Sequence, residues 1–356
     1  GIPVKGSERC LPDLHLREDG SMTKGLPAFS SSQWEFLTAL YTLREPAGID
    51  VIGEMVPLPP GPFLELLNET ERLGWLRRRD KSTVELLMDL PAQVHRTLEQ
   101  MDSEERVAEW VTRLENAGLM NGLPTDVAVR LLLRIERVEA AAEFETIAAR
   151  QALDRRDLPD AFAHLERSAG LLAGLSAQGK LEGDSFFSCA DLVMELSDAC
   201  FSEGSSVKDL SSLLETCRDL AERQGDRRSW ALVGLHMGRL FYFSDQRDLA
   251  FRCFSEAGEA VEEMGDEDIL WRSAKFLGIF SFMQGDFRRA IEHFERAQRP
   301  FGEAGAHLIN PYAPLFMAVS CTCLGEFHRA IGILDYHWRG AEQEGRSGLA
   351  AVFRAQ

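Results

Sequence analysis

Three groupings in the sequence contain residue types that could support chemistry, and each also has a structural explanation. Residues 174–180 have the glycine and lysine spacing of a phosphate-binding loop, but Leu181 stands where that loop needs Ser or Thr to reach a metal ion. Cys321 and Cys323 are one residue apart, so at helical spacing their thiols point to different sides. Glu262-Glu263 and Asp266-Glu267-Asp268 form an acidic cluster at a predicted helix end, which fits a solvated turn. We therefore predict no enzymatic activity, no cofactor and no metal.

Composition and charge exclude further classes of function. The 356 residues carry a net charge of −18 and the pI is near 5.0, which argues against binding to nucleic acid or to an anionic membrane. No run approaches 18 apolar residues, so the sequence predicts no transmembrane helix and no secretory signal. The odd number of cysteines, seven, without framework spacing, fits reduced thiols and a cytoplasmic location.

A forty-residue repeat between Ser229 and Gly340 organises the chain. Small, alanine, aromatic and alanine positions recur at offsets 0, 12, 16 and 19, first as Gly238, Ala250, Phe254 and Ala257, and then as Gly278, Ala290, Phe294 and Ala297. A third copy has Ala318, Ala330, Leu334 and His337. A polar turn precedes each offset-12 alanine, so we predict two helices per repeat, with the small residue where the helices cross closely.

This pattern resembles the tetratricopeptide (TPR) family, except that the family repeat is about 34 residues long. The resemblance implies an all-α fold, a right-handed TPR-like α-solenoid. Residues 186–224 match the frame in degenerate form, with Leu210, Leu214 and Cys217 at the three later positions. An earlier, offset copy covers residues 151–176, so the arm is predicted to span 151–356.

Residues 26–89 are predicted to form a winged helix, with three helices followed by a hairpin of two short strands over 75–87. Such a unit often binds DNA through its third helix. Here that helix carries Glu65, Glu69 and Glu71 against Arg72, the wrong charge for phosphates. Only the wing is basic, with Arg77, Arg78, Arg79 and Lys81.

A winged helix, a helical connector over 90–150 and a repeat arm occur in this order in signal-transducing bacterial NTPase regulators of the maltose-regulon-activator type. The resemblance covers residues 26–356 and implies a STAND-type regulator whose nucleotide-binding core is missing from this chain.

Both ends of the chain differ from the repeats. Residues 1–25 are interpreted as a linker, a tag or a fused peptide, and Gly20-Ser21-Met22 has the form of a cloning scar before a start methionine. If residues 1–19 come from another protein, Cys10 to Leu16 would be a ligand peptide for the arm. Residues 341–356 have the form of a helix cut short, which predicts truncation at the C-terminus.

The resemblance to TPR proteins also implies a binding surface, because the first helix of each family repeat lines a concave groove. Carried over to this sequence, Arg239, Arg272 and Lys275 form a positive patch that could bind a carboxylate-bearing peptide or a small anion. Flat apolar contacts would come from Tyr242, Phe282 and Tyr312. The alternative is that these cations pair with neighbouring acids such as Asp245 or Glu303.

Two functions remain open on the sequence alone. The first is a non-enzymatic sensing module that binds a protein segment, a peptide or a small-molecule inducer and relays this to an NTPase core or a transcription regulator. The second is a freestanding TPR adaptor whose winged helix contacts DNA or a transcription complex.

Overall fold

The computed structural model describes residues 31–56, 58–87, 90, 92–181, 184–203, 210–298, 313–343, 345 and 347–355. The chain divides into two compact units, residues 1–137 and 138–356. The segment predicted to be a linker, tag or fused peptide, residues 1–25, lies outside the described residues, as does the wider stretch up to residue 30.

The first unit combines helices with a small antiparallel sheet. Its elements are α1 (Ser31–Leu43), β1 (Ala47–Gly48), α2 (Ile49–Met55), α3 (Pro60–Arg72), β2 (Leu76–Arg78), β3 (Thr83–Leu86), α4 (Ala92–Met101), α5 (Glu104–Asn116), a 3₁₀ turn (Met120–Gly122) and α6 (Thr125–Arg134). The sheet order is β1-β3-β2. The predicted hairpin is therefore present, while β1 was not predicted, because two residues give no periodic signal.

Local sequence signals set several of these boundaries. Gly74, in the left-handed region at φ 75°, follows α3 and stops it. Ser103 caps α5, its side chain accepting a hydrogen bond from the backbone N–H of Arg106. Asp102 connects the helices of this unit, because its carboxylate accepts hydrogen bonds from Thr42 of α1 and from Arg134 of α6.

The second unit consists of helices throughout its described residues. They are α7 (Val138–Asp154), α8 (Leu158–Ala177), α9 (Ser185–Glu203), α10 (Leu210–Gln224), α11 (Arg227–Phe243), α12 (Arg247–Met264), α13 (Glu267–Met283), α14 (Phe287–Gln298), α15 (Ala313–Cys323), α16 (Phe327–Gln343) and α17 (Ser347–Ala355). Helix α7, which the sequence assigned to a connector, packs on α8 within this unit, so the arm begins at Val138.

The helices are arranged as the predicted solenoid. Each odd-numbered helix from α7 to α13 contacts the next odd-numbered helix, which forms one continuous layer ending at α15. The pairs α7 with α8, α11 with α12, α13 with α14 and α15 with α16 are helical hairpins. Helix α10 is the exception, because it packs on α8 and α11 as well as on α9. The fold is an all-α solenoid of TPR-like helix pairs.

The turns within the hairpins follow the forty-residue period. Asp245, Gly285 and Gly325 each occupy the left-handed region, with φ of 58°, 78° and 78°, directly after α11, α13 and α15. This conformation reverses the chain after the first helix of a pair, and glycine adopts it without steric cost. The backbone thus repeats even where the side chain at the turn changes.

Within two hairpins, the small residue at offset 0 lies against the aromatic residue at offset 16. A Cβ atom added at Gly238 would lie 2.7 Å from the Phe254 ring, and one added at Gly278 would lie 2.7 Å from the Phe294 ring. Such a distance requires the ring or the helix to move. The third copy satisfies the same packing differently, because Ala318 is paired there with the smaller Leu334.

We predict that Gly278→Ala destabilises the arm by about 1–3 kcal/mol, the usual effect of overpacking a filled core. Phe294→Leu should rescue it, since the double variant reproduces the combination found at Ala318 and Leu334. Urea denaturation of the two single variants and the double variant gives the coupling energy. As a control, Gly170→Ala in α8 meets nothing within 4 Å and should be neutral or stabilising. Additive effects of the two substitutions would contradict the packing argument.

Candidate functional site

The candidate site is a pocket of about 420 Å³ on the second unit. Helices α7, α9, α11, α13 and α15 of the odd-numbered layer contribute to its lining, together with α14. Its charged and aromatic lining residues are Arg150, Asp191, Glu195, Asp198, His236, Trp271, Arg272, Lys275 and Phe276. The volume lies within the range of clefts that hold small ligands.

One face of α9 supplies the carboxylates of the pocket. Asp191, Glu195 and Asp198 are spaced by four and three residues, which places them in a row along the helix. Each of them pairs with a cation of another helix. Glu195 accepts a hydrogen bond from Arg150 of α7 at 2.6 Å, and Asp191 accepts one from Arg272 of α13 at 3.0 Å.

Asp198 is shared by two cations from two different helices. Its Oδ1 accepts a hydrogen bond from Arg239 of α11 at 2.6 Å, and its Oδ2 accepts one from Lys275 of α13 at 2.5 Å. Arg239 also donates to the hydroxyl of Ser197 and to Nδ1 of His236. Burial alone would raise the pKa of Asp198, but Lys275 and Arg239 together hold that pKa well below its usual value. The carboxylate is therefore charged whenever the protein is folded near neutral pH.

Aromatic rings enclose this ion cluster. The guanidinium carbon of Arg239 lies 4.1 Å from the ring centroid of Phe201 and 5.1 Å from that of Phe276. Lys275 also contacts Phe276, with Nζ 4.8 Å from the centroid. Rings in these positions stabilise a cation that has lost its water. Burial nevertheless lowers the pKa of both Lys275 and Arg239, and Asp198 opposes that effect.

The three predicted cations lie at different depths. Arg272 and Lys275 line the pocket. Arg239 is only 5% exposed and lies behind the lining, where its hydrogen bonds are to the protein itself. Arg239 is therefore a structural residue of the ion cluster, and not a group of the pocket surface. The cations do pair with acids, but the partners are Asp198 and Asp191 rather than Asp245, which pairs with Arg247. Glu303 lies outside the described residues.

The predicted aromatic contacts are placed apart from the pocket. Tyr242 and Phe282, near the ends of α11 and α13, both pack on Phe316 of α15, with ring centroids 6.1 and 5.0 Å apart. Neither of them lines the pocket, where Trp271 and Phe276 provide the aromatic surface instead. Tyr312 lies outside the described residues.

The acids of α9 are the functional candidates that the sequence interpretation missed. Two signals could have identified them. The first is their spacing along one helical face. The second is that counting back forty residues from Gly238 gives Asp198, so an acid stands in the degenerate repeat where the other copies have a small residue.

The other groupings singled out in the sequence have structural roles. Residues 174–177 belong to the end of α8, and Gly179 forms a left-handed turn after it. Asp266 caps α13, while Glu262 pairs with Arg289. Cys321 is buried and Cys323 exposed, so they do face different sides. Among the described residues there is no group of acids, histidines or cysteines arranged to hold a metal ion, and no helix long and apolar enough to cross a membrane.

No protein-family model matches this chain, and no curated protein sequence matches it either. Among solved structures, the chain is similar to a signal transduction ATPase with numerous domains (STAND) from Pyrococcus horikoshii that has a tetratricopeptide repeat sensor. The TM-score is 0.40 at 12% identity, covering 91% of this chain and 60% of that one. This chain thus spans about 60% of the length of that protein.

Two further solved structures are similar over most of this chain. Aspartyl phosphate phosphatase F from Bacillus subtilis gives a TM-score of 0.42 at 15% identity, covering 92% of this chain and 79% of the phosphatase. The apo form of the quorum sensor NprR from B. thuringiensis gives 0.42 at 11% identity, covering 90% and 79%.

We predict that Arg239→Ala lowers the free energy of unfolding by about 3 kcal/mol, the usual effect of breaking a buried ion pair. Arg272→Ala should lower it by less than about 1 kcal/mol, because that pair is partly exposed. Urea denaturation at neutral pH measures both. Equal effects of the two substitutions would show that Arg239 has no special structural role.

The buried His236 imidazole should make the free energy of unfolding depend on pH. Burial lowers its pKa well below 6.5, so below pH 6.5 the unfolded chain binds a proton that the folded chain does not. Stability should therefore fall as the pH drops from 7 to 5. His236→Gln should remove up to about 1.4 kcal/mol of that loss per pH unit. Burial also lowers the pKa of His293, to about 4. This residue contributes equally to the pH dependence of the wild type and of the His236→Gln variant. If the urea midpoint changes with pH equally in the wild type and in the His236→Gln variant, this assignment is wrong.

Proposed function

We propose that this chain is a non-enzymatic sensing module that binds a protein segment, a peptide or a small anionic inducer in the pocket between α9 and α13. The observation that carries the proposal is the pocket itself, where ion pairs from separate repeats meet beside Trp271 and Phe276. Hydrogen-bonding charged groups beside flat apolar surface are the features with which proteins fix the orientation of a ligand.

We further propose that the module belongs to a cytoplasmic signal-transducing NTPase regulator of the STAND type, whose nucleotide-binding core lies outside this chain. The element order α1-β1-α2-α3-β2-β3, with sheet order β1-β3-β2, is that of a winged helix, which supports this assignment of the first unit. In such a regulator, a ligand shifts the protein between states only if it binds those states with different affinity. A pocket built from several repeats meets this requirement, since any change in repeat geometry changes the pocket.

No observation favours the alternative of an adaptor that binds DNA. On the wing, Arg79 donates two hydrogen bonds to Glu85. Arg78 donates to Glu71 and Asn68 of α3. Two of the four basic wing residues thus already have acidic partners, and α3 presents carboxylates. Phosphate binding would have to displace these partners, which weakens the case for an electrostatic contact with DNA.

The proposal predicts that Arg272→Ala weakens peptide binding about 10- to 100-fold, since a hydrogen bond to a charged group contributes about 1.5–3 kcal/mol. The probe is a library of twelve-residue peptides applied to the immobilised chain, followed by calorimetry with the peptides that are retained. Arg228→Ala is the matched control, because Arg228 is also an exposed arginine paired across repeats, with Asp268, and does not line the pocket. Equal losses in the two variants, or no retained peptide, would remove the pocket as the binding site.

A further inference from the structure

The charges that line the pocket are balanced. Three cations, Arg150, Arg272 and Lys275, face three carboxylates, Asp191, Glu195 and Asp198. Each cation already has a carboxylate partner within 3.0 Å. A ligand that enters must therefore exchange partners with groups of the protein, and the ligand's own charges decide whether that exchange is favourable.

The ion pairs differ in how readily they open. Arg272 and Asp191 are 32% and 57% exposed, and Arg150 and Glu195 are each close to half exposed. Pairs of this kind contribute little, because water replaces each partner at small cost. Lys275 and Arg239 are nearly buried, so their pairs with Asp198 stay closed. The exchangeable part of the site is thus Arg272 with Asp191 and Arg150 with Glu195.

A dipolar ligand suits this arrangement better than a simple anion. Its carboxylate could take the place of Asp191 on Arg272, but Asp191 would then lose its partner. The displaced carboxylate would remain one helical turn from Glu195, on the same face of α9. A ligand that also carries an ammonium group restores the partner of Asp191, so no charge is left uncompensated.

The charged groups of the site limit the net charge that the ligand can carry. Including Arg239, which lies behind the lining, the site has four cations and three carboxylates. One additional negative charge is therefore tolerated. The body of the ligand would lie against the apolar part of the lining, which includes Met194, Leu232, Trp271 and Phe276.

We propose that the pocket selects a short peptide with both termini free, whose amino terminus pairs with the carboxylates of α9 and whose carboxyl group pairs with Arg272. This rests on the proposed function and narrows its ligand, a protein segment, a peptide or a small anion, to a short dipolar peptide of net charge zero or −1. The proposal differs from binding of an extended protein segment, which presents no free amino terminus at this site.

The test uses one mixture of tripeptides in three forms: with free termini, with acetylated amino termini, and with amidated carboxyl termini. Retention of each pool on the immobilised full chain is measured by mass spectrometry. We expect the free pool to be retained and both blocked pools to be retained at least tenfold less. Arg272→Gln should lower retention of the free pool at least tenfold, whereas Arg228→Gln should leave it unchanged.

Asp191→Asn gives a readout that simple structural damage would not give. This variant removes one carboxylate from the site, so its preference should move from the free pool towards the acetylated pool. Thermal unfolding of each variant is measured to check that the arm is folded. A general loss of retention, without this change in preference, would overturn the assignment of Asp191 to the amino terminus.

The remaining outcomes separate this inference from the proposed function. If the wild-type chain retains the acetylated pool as well as the free pool, the site binds simple anions. The inference of a dipolar ligand is then wrong, while the proposed sensing function stands. If no tripeptide pool is retained but twelve-residue peptides are, the inference also fails and the function stands. If the chain retains neither tripeptides nor twelve-residue peptides, both the inference and the proposed function are wrong.

Discussion

The close approach of a glycine to a phenylalanine ring, in the hairpins α11–α12 and α13–α14, is the constraint on which this part of the arm depends. At Gly238 and Gly278 the ring of the second helix occupies the space that a methyl group would need. This contact fixes the separation of the two helices of a pair and therefore the position of the first helix in its layer. Because the contact recurs at a fixed period, α11 and α13 present equivalent faces to the pocket. Arg239 and Lys275 can then reach the same carboxylate, although 36 residues separate them along the chain.

Because the first helices form a regular layer, Asp198 can pair with cations from two different helices. In a solenoid each repeat mainly contacts its neighbours, but this side chain joins α9 to α11 and also to α13. The pair between Asp191 and Arg272 makes a second connection between α9 and α13. Burying two cations is expensive unless their partners are well placed, and here the repeat geometry places them. The cluster therefore depends on the hairpin packing, and it connects α9 directly with α13 across the intervening α11.

The sequence predicted the features that local rules determine. The period, the small-residue contacts and the turns after α11, α13 and α15 all follow from residues within one repeat of the chain. The sequence also singled out Arg272 and Lys275, which line the pocket. It did not predict the depth of Arg239 or the acids of α9, because those depend on partners 41 to 81 residues away. The partners lie in the degenerate copy, where α10 packs on α8 and α11 and the frame is least visible.

The ion pairs between α9 and the neighbouring first helices differ in function, although their residues look alike in the sequence. The pairs of Asp198 with Arg239 and Lys275 hold the helices in place. Burial alone would raise the pKa of the Asp198 carboxyl, but these two cations hold it well below its usual value. The exposed pair of Asp191 and Arg272 connects the same two helices but can exchange with a ligand at little cost. A ligand can therefore replace one connection between α9 and α13 while the other keeps the pocket formed. The difference between positioning and recognition comes from how deeply the partner cations are buried, since the two carboxylates are only seven residues apart on α9.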